Sequence, residues 1–155
     1  MNLSRRRSLQ AASGLGMYAA LVAVGVLRAG PASAQQFNAA FQTKSIADTL
    51  KALGVGSTTD SKDVIINSPD IAENGAVVPV GIRSNLPKTE MIALLVDKNP
   101  SALAGAFTLL EGAEPDVNMR IKMGQSSDVY ALVKADGKFY ITKKEIKVTL
   151  GGCGG

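Results

Sequence analysis

Beyond residue 63 the chain consists of short apolar runs separated by turn residues, a pattern typical of an antiparallel β-sandwich or barrel. Seven strands are predicted, at residues 64–67, 76–84, 89–97, 104–110, 116–123, 128–135 and 138–150. Asp136-Gly137, between the last two strands, predicts a tight hairpin, because both central positions of a type I′ turn take a positive φ. Pro79 in the second run predicts an edge position or a β-bulge, since proline donates no hydrogen bond to a neighbouring strand.

Two of the predicted strands distribute their apolar side chains differently. In residues 116–123 apolar residues alternate with polar ones, which predicts one face toward the core and one toward water. Residues 91–96, Met-Ile-Ala-Leu-Leu-Val, are apolar throughout. This run fits either a central strand covered on both faces or a strand whose outer face meets another protein. The sequence leaves the two interpretations open.

A segment before the predicted strands has helical periodicity instead. Residues 35–43 form a polar and aromatic lead-in, after which Ser45 is a suitable N-cap with Asp48 three residues later. From Ile46 onward apolar residues follow at i+4 and i+7. Gly54 predicts the end of the helix, because glycine adopts the left-handed conformation that terminates many helices.

The first 34 residues have the three parts of an export signal. Residues 4–10 carry the charge, residues 15–27 are apolar, and Ala32-Ser33-Ala34 is a small-x-small cleavage site. As a helix, the apolar stretch would extend only about 20 Å, short of the roughly 30 Å hydrocarbon core of a bilayer. It therefore suits a signal cleaved after Ala34 better than a membrane anchor.

The arginines of this segment resemble the twin-arginine export signal, with Arg5 and Arg6 as the pair. Arg6 and Arg7 are the alternative pair, and an ordinary Sec signal is the alternative route. Each of these interpretations places the mature protein outside the cytoplasm.

Composition excludes several classes of function. The chain has 155 residues, with 17 Lys or Arg, 13 Asp or Glu, no His and one Cys. Without histidine there is no Ser/His/Asp triad, no Cys/His dyad and no imidazole ligand, and one thiol cannot build a thiolate zinc site. We therefore expect no catalytic residue, no metal and no cofactor. The export signal holds four arginines and no acidic residue, so the remainder is formally neutral and offers no basic stripe for nucleic acid.

Two groups of side chains have structural interpretations. Three methionines are expected in the core: Met91, Met119 and Met123. Copper binding is disfavoured, because no His or Cys is spaced to join them. Three lysines of the last strand are interpreted as a solvated face and edge protection rather than a binding patch: Lys143, Lys144 and Lys147.

The last five residues are Gly-Gly-Cys-Gly-Gly, so the only thiol, at Cys153, lies between two pairs of glycines. The three residues that follow Leu150 span at most about 10 Å, enough to present the sulfur beyond the domain surface. Glycines give such a segment backbone freedom and a slim profile. Neither a helix N-terminus nor an adjacent His or Lys activates the thiol. It therefore suits modification by other enzymes better than unaided attack.

The twin-arginine-like leader, the β-rich domain and the terminal Gly-Gly-Cys-Gly-Gly together resemble the SoxY family, the Y subunits of the SoxYZ sulfur carriers of thiosulfate-oxidising bacteria. The resemblance implies a periplasmic protein whose signal peptide, residues 1–34, is removed. It implies a lead-in with a short helix at 35–62, a single immunoglobulin-like antiparallel β-sandwich of about seven strands at 63–150, and a carrier arm at 151–155. It also implies a heterodimer with a SoxZ-like subunit.

The same resemblance implies that Cys153 is the covalent attachment site. A haem-containing enzyme would join the thiol to thiosulfate as a cysteine S-thiosulfonate, and a hydrolase would release sulfate. A sulfane dehydrogenase, where present, would oxidise the remaining sulfur. The arm glycines would supply mobility: Gly151, Gly152, Gly154 and Gly155. The protein itself would be a carrier rather than an enzyme.

Two alternatives come from other classes of protein. A terminal Gly-Gly also resembles ubiquitin-like sulfur carriers, in which the carboxylate of the last residue, here Gly155, becomes a thiocarboxylate. Export disfavours this interpretation, because the thiocarboxylate forms by adenylation, which needs ATP, and the periplasm lacks ATP. The other alternative is a non-carrier binding module in which Cys153 links two chains by an intermolecular disulfide. Such a disulfide-linked dimer is also compatible with a true carrier.

Replacing both Arg5 and Arg6 with Lys is expected to block export. Twin-arginine recognition depends on the guanidinium pair, whereas a Sec signal needs only positive charge. Cell fractionation followed by quantification of the periplasmic protein measures the effect. Because the double substitution also removes the Arg6-Arg7 pair, an unchanged periplasmic yield would identify Sec as the route.

Overall fold

The computed structural model describes residues 37–149. The predicted export signal and the segment 151–155 lie outside the described residues. Residues 37–41 are helical, and the elements that follow are α1 (Ile46–Ala52), β1 (Thr59–Asp60), β2 (Val64–Asn67), β3 (Ile71–Ala72), β4 (Val78–Ser84), β5 (Thr89–Val96), β6 (Leu103–Thr108), β7 (Asp116–Ile121), β8 (Ser127–Ala135) and β9 (Lys138–Val148).

The strands form two sheets, which makes the fold the predicted mainly β, immunoglobulin-like sandwich. The larger sheet has the strand order β1-β9-β8-β5-β6, with β3 also paired to β9, and the smaller has the order β2-β4-β7. The pairs β5–β6, β5–β8, β8–β9, β2–β4 and β4–β7 are antiparallel. Two parallel pairs, β1–β9 and β3–β9, depart from the antiparallel expectation.

All seven predicted strands are present, with ends that differ by at most two residues within the described range. The two strands that the sequence did not predict, β1 and β3, have two residues each. A strand so short has no hydrophobic alternation of its own. Both exist because β9 offers its second edge to them, at Tyr140 and Ile141 for β1 and at Lys147 and Val148 for β3.

The predicted hairpin connects β8 to β9. Asp136 has φ 48° and Gly137 has φ 74°, as a type I′ turn requires. Ala135 pairs with Lys138 across the turn, so the loop has two residues. The Gly137 N–H donates to a carboxylate oxygen of Glu90 at 2.9 Å, which joins the hairpin to the start of β5.

Pro79 lies in the central strand of the smaller sheet, but its position is a local edge. Pairing between β2 and β4 ends at Asn67 and Gly81. Beyond that point β4 pairs only with β7, where Pro79 faces Arg120. The missing N–H of proline therefore costs no bond to β2.

The main core fills the space between the two sheets. Its fully buried members come chiefly from β4, β5 and β8: Val78, Val80, Ile82, Ile92, Leu94, Val96, Val129, Ala131 and Val133. The alternation predicted for β7 is confirmed, because Met119, Ile121 and Met123 pack against this core while Asn118 and Arg120 are exposed. Met119 and Met123 thus occupy the predicted core positions.

A second core covers the other face of β5. Met91, Ala93 and Leu95 point away from the smaller sheet and pack with residues of α1 and the helical segment before it. Every residue of the run 91–96 is consequently buried. Of the two interpretations that the sequence left open, the structure supports a central strand covered on both faces by its own chain.

The helix that provides this cover begins and ends as predicted. The Ser45 side chain accepts a hydrogen bond from the Asp48 N–H at 3.1 Å. At the other end Gly54 has φ 74°, and the Val55 N–H donates to the Leu50 carbonyl at 2.9 Å, the Schellman arrangement. The lead-in before α1 is itself partly helical, which the sequence did not predict.

Leu95→Ala is expected to reduce the free energy of unfolding by about 2–5 kcal/mol, because the side chain is fully buried and its removal leaves a cavity. The matched control is Leu110→Ala, at an 81% exposed leucine, which should change it by less than about 0.5 kcal/mol. Urea denaturation with unchanged m-values measures both. Equal effects of the two substitutions would contradict the two-sided burial of β5.

Candidate functional site

The predicted attachment site, Cys153, lies outside the described residues, as do the arm glycines and the arginines of the export signal. The structure describes the chain up to Thr149, two residues before the predicted arm. β9 is the longest strand and ends at Val148, and Thr149 is the last described residue. We call residues 147–149 the arm root.

Three backbone N–H groups of the arm root are hydrogen-bonded to other parts of the chain. On the β3 side, Lys147 N–H donates to the Asp70 carbonyl at 2.9 Å and Thr149 N–H donates to the Ala72 carbonyl at 3.1 Å. Val148 N–H donates to Oγ of Ser126 at 2.9 Å. The arm root is therefore held by the β3 segment and by the loop between β7 and β8.

Gly75 leaves no space beside the arm root. A Cβ atom built on Gly75 would overlap the carbonyl oxygen of Met123 and would lie 2.8 Å from Cγ1 of Val148. The Met123 N–H also donates to the Gly75 carbonyl at 2.7 Å. The backbones of the two loops thus approach each other closely at the point where β9 ends, and only glycine fits there.

The side chain of Lys144, on β9, also binds the residues just before β3. Its ammonium group donates to the Ser68 carbonyl at 2.6 Å and contacts the Asp70 carboxylate at 2.9 Å. The hydrogen bond from Lys144, together with its positive charge, lowers the pKa of Asp70. Asp70 remains ionised at neutral pH. Its ion pair with Lys144 supplements the hydrogen bond that the Lys147 N–H donates to the Asp70 carbonyl.

The lysines of β9 were predicted to form a solvated face, but two of them also bind neighbouring residues. Lys144 is 30% exposed and holds a neighbouring segment. Lys143, on the opposite face, is exposed and donates to Asp128 at 3.1 Å. The hydrogen bond with Asp128 and the charge of that carboxylate raise the pKa of Lys143. Both lysines are therefore paired with carboxylates rather than forming a cationic patch.

A cleft of about 550 Å³ lies far from the arm root, between the start of β5 and the residues after β6, with Thr89, Glu90 and Leu109 in its lining. This end of the sandwich holds the β8–β9 hairpin, since Gly137 bonds to Glu90. The 11 residues of β9 separate the two ends by about 33 Å. A fully extended chain of four residues, the number from Leu150 to Cys153, spans only about 14 Å, which is less than this separation.

Sequence reasoning missed the residues that hold the arm root. Ser126 and Val148 are 22 positions apart, and nothing in a single sequence marks a serine as the partner of a distant backbone N–H. The Asn74-Gly75 pair signals a turn but not the close approach to Val148. Among residues 37–149, no group of three or more His, Cys, Asp or Glu side chains could hold a metal ion. In the same range no helix is long and apolar enough to cross a membrane.

Gly75→Ala is expected to lower the free energy of unfolding by about 1–3 kcal/mol, because the added methyl group pushes the Met123 backbone and the Val148 side chain away from residue 75. Gly124→Ala is the matched control, since a Cβ there meets nothing within 4 Å, and should stay within about 0.5 kcal/mol. Urea denaturation measures both variants. Indistinguishable stabilities would contradict the close packing at Gly75.

Comparisons with a family model and with solved structures show what the chain is similar to. The family model of the sulfur oxidation protein SoxY matches residues 50–153, a range that includes the arm root and Cys153. The structure of the sulfur carrier protein SoxY from Chlorobium limicola f thiosulfatophilum is 32% identical, with a TM-score of 0.64, over 70% of this chain and 96% of that chain.

A superoxide reductase (neelaredoxin) from Ignicoccus hospitalis is 21% identical with a TM-score of 0.51, over 66% of this chain and 92% of that chain. At that identity the likeness concerns the fold alone. No curated protein sequence is significantly similar to the chain. The family match over more than half of the chain, together with the SoxY structure, shows that the chain belongs to the SoxY family of sulfur carrier proteins.

Proposed function

We propose that this protein carries thiosulfate-derived sulfur covalently on Cys153 and presents it to separate enzymes of sulfur oxidation. The observation that carries the proposal is that the family match extends through residue 153, which is the only cysteine of the chain. A carrier that forms a covalent bond to sulfur needs a nucleophilic atom, and the Cys153 thiol is the one sulfhydryl available.

The proposed loading step is an oxidation of the thiol together with thiosulfate. A sulfur–sulfur bond forms between Cys153 and the terminal sulfur of thiosulfate, which gives a cysteine S-thiosulfonate. One proton and two electrons are released, and a haem-containing partner enzyme accepts the electrons. Hydrolysis by a second enzyme then adds water across the bond to the sulfonate group, releases sulfate and leaves a persulfide on Cys153.

Regeneration of the free thiol requires further partners. A sulfane dehydrogenase would oxidise the outer sulfur of the persulfide to a sulfonate. Three water molecules would supply the oxygen, seven protons would be released, and the dehydrogenase would accept the six electrons. A second hydrolysis would then release sulfate and restore Cys153. Each of these steps belongs to another protein, because the chain has no histidine and its thiol lacks a local activating group.

The segment around Cys153 suits delivery to several enzymes. In this proposal, Gly151, Gly152, Gly154 and Gly155 give the arm freedom of rotation and a cross-section narrow enough for an enzyme channel. The four residues that follow Thr149 reach about 14 Å to the Cα of Cys153. The arm root supports this role, since hydrogen bonds hold the chain up to Thr149, two residues before the proposed arm.

Membership in the family implies partners in the sulfur oxidation pathway, such as SoxZ. We propose that the protein forms a heterodimer with a SoxZ-like subunit in the periplasm, after export by the twin-arginine route. The outer face of β5 is not available to such a partner, because α1 and the residues before it cover that face.

Cys153→Ser is expected to abolish thiosulfate-dependent turnover in a reconstituted pathway. If the proposed arm does not pack against the domain, the free energy of unfolding should change by less than about 0.5 kcal/mol. Intact-mass spectra of the native protein should show thiosulfonate or sulfane adducts on the peptide that contains Cys153, and reduction should remove them.

A matched variant separates the thiol from its surroundings. Replacing both Gly152 and Gly154 with Val keeps Cys153 but stiffens and widens the arm, since valine is β-branched. Turnover should fall while the thiol still accepts an adduct. Full activity of Cys153→Ser, or sulfur found on the carboxylate of Gly155, would overturn the proposal in favour of a ubiquitin-like thiocarboxylate carrier. A chain that only forms a disulfide-linked dimer through Cys153 would instead be a binding module.

A further inference from the structure

Ser126 occupies an unusual place among the contacts of β9. The regular β8–β9 ladder ends where Ser127 pairs with Ile146, so the next N–H groups of β9 need partners elsewhere. Ser126 provides one of them, since its Oγ accepts from Val148 N–H at 2.9 Å. The residue thus extends the hold on β9 beyond the end of its antiparallel partner.

The β3 segment provides the other two bonds from the opposite edge of the strand. Its carbonyls at Asp70 and Ala72 accept from Lys147 and Thr149. Alternate N–H groups of a strand point to opposite sides, so Ser126 and β3 hold the arm root from both sides. Ser126 differs from β3 in one respect, because its contribution comes from a single side-chain hydroxyl and is removed by one substitution.

We propose that Ser126 is a positioning residue that, together with the two β3 bonds, holds the arm root and so limits the length of free chain before Cys153. This inference rests on the proposed function of Cys153. With the arm root held, four residues separate the fixed backbone from the Cα of Cys153, a reach of about 14 Å. When the arm root opens as far as Ile146, seven residues separate them, and the reach grows to about 25 Å. Loss of the Ser126 bond makes this opening more frequent, because only the two β3 bonds then oppose it.

A longer tether dilutes the thiol at the active site of a docked enzyme. The effective concentration of a tethered group falls roughly as the −3/2 power of tether length, so an increase from four to seven residues lowers it about twofold. In this proposal the folded domain, rather than the tether, docks on the enzyme. Release of the arm root should therefore lower kcat and leave KM for the carrier unchanged.

The test compares Ser126→Ala with two matched variants of the full chain. Ser126→Thr retains the hydroxyl and should behave as the native protein does. Ser61→Ala removes the same kind of bond, from the Asp63 N–H to a serine Oγ at 3.2 Å, near the β1 end of β9. It should therefore affect neither the arm root nor turnover.

Hydrogen exchange followed by NMR measures the hold on the arm root directly. In Ser126→Ala the Val148 amide should exchange about fivefold faster or more, as expected for the loss of one hydrogen bond, while core amides such as that of Leu94 stay unchanged. In the reconstituted pathway, at a temperature where every variant is folded, kcat should fall by up to about twofold with KM unchanged.

Unchanged exchange at Val148 would overturn the proposed hold. Faster exchange at Val148 with unchanged kcat would overturn the positioning role. These outcomes are distinct from a failure of the proposed function, which would appear as full turnover of Cys153→Ser. In that case the exchange measurement still decides whether Ser126 holds the end of β9.

Discussion

Burial of β5 on both faces is the constraint on which the rest of the structure depends. One face packs against the smaller sheet and the other against α1 and the helical residues before it. β5 also pairs with β6 on one edge and β8 on the other, so it lies inside the larger sheet. Its central position brings β8 into the core and, through the Asp136-Gly137 hairpin, places β9 beside it.

β9 runs from this core to the residues that precede the proposed attachment site, Cys153. Its first part pairs with β8 throughout, and its last residues pass beyond β8 to contacts with Ser126 and the β3 segment. The proposed function makes two opposing demands, because the domain must be rigid enough for enzymes to recognise while the loaded thiol must move between them. The structure meets the first need up to Thr149, and the proposed arm meets the second within a few residues.

The charged side chains near the arm root help to hold the end of β9 in place. Lys144 pairs with Asp70 and binds the Ser68 carbonyl, so an exposed strand edge is closed by a segment of the same chain. Isolated ion pairs at a surface contribute little to stability. Here the pair acts with the backbone bonds of β3, and its effect is to keep that segment next to the end of β9.

The sequence alone determined those features that depend on residues close together along the chain. The strand positions followed from local alternation, the hairpin from the positive φ of Asp136 and Gly137, and the helix from its cap and terminating glycine. The proposal of Cys153 as the attachment site also comes from a local feature, a single thiol between glycines, and it stays a prediction.

Only the tertiary structure decided what covers β5, which short strands close the edge of β9, and which side chain holds Val148. Each of these depends on residues far apart in sequence. A burial pattern shows that a face is covered but does not identify the cover, so α1 and a partner protein were equally compatible with residues 91–96. A two-residue strand such as β3 and a single serine hydroxyl carry no periodic signal, and they act only once folding brings β9 beside them.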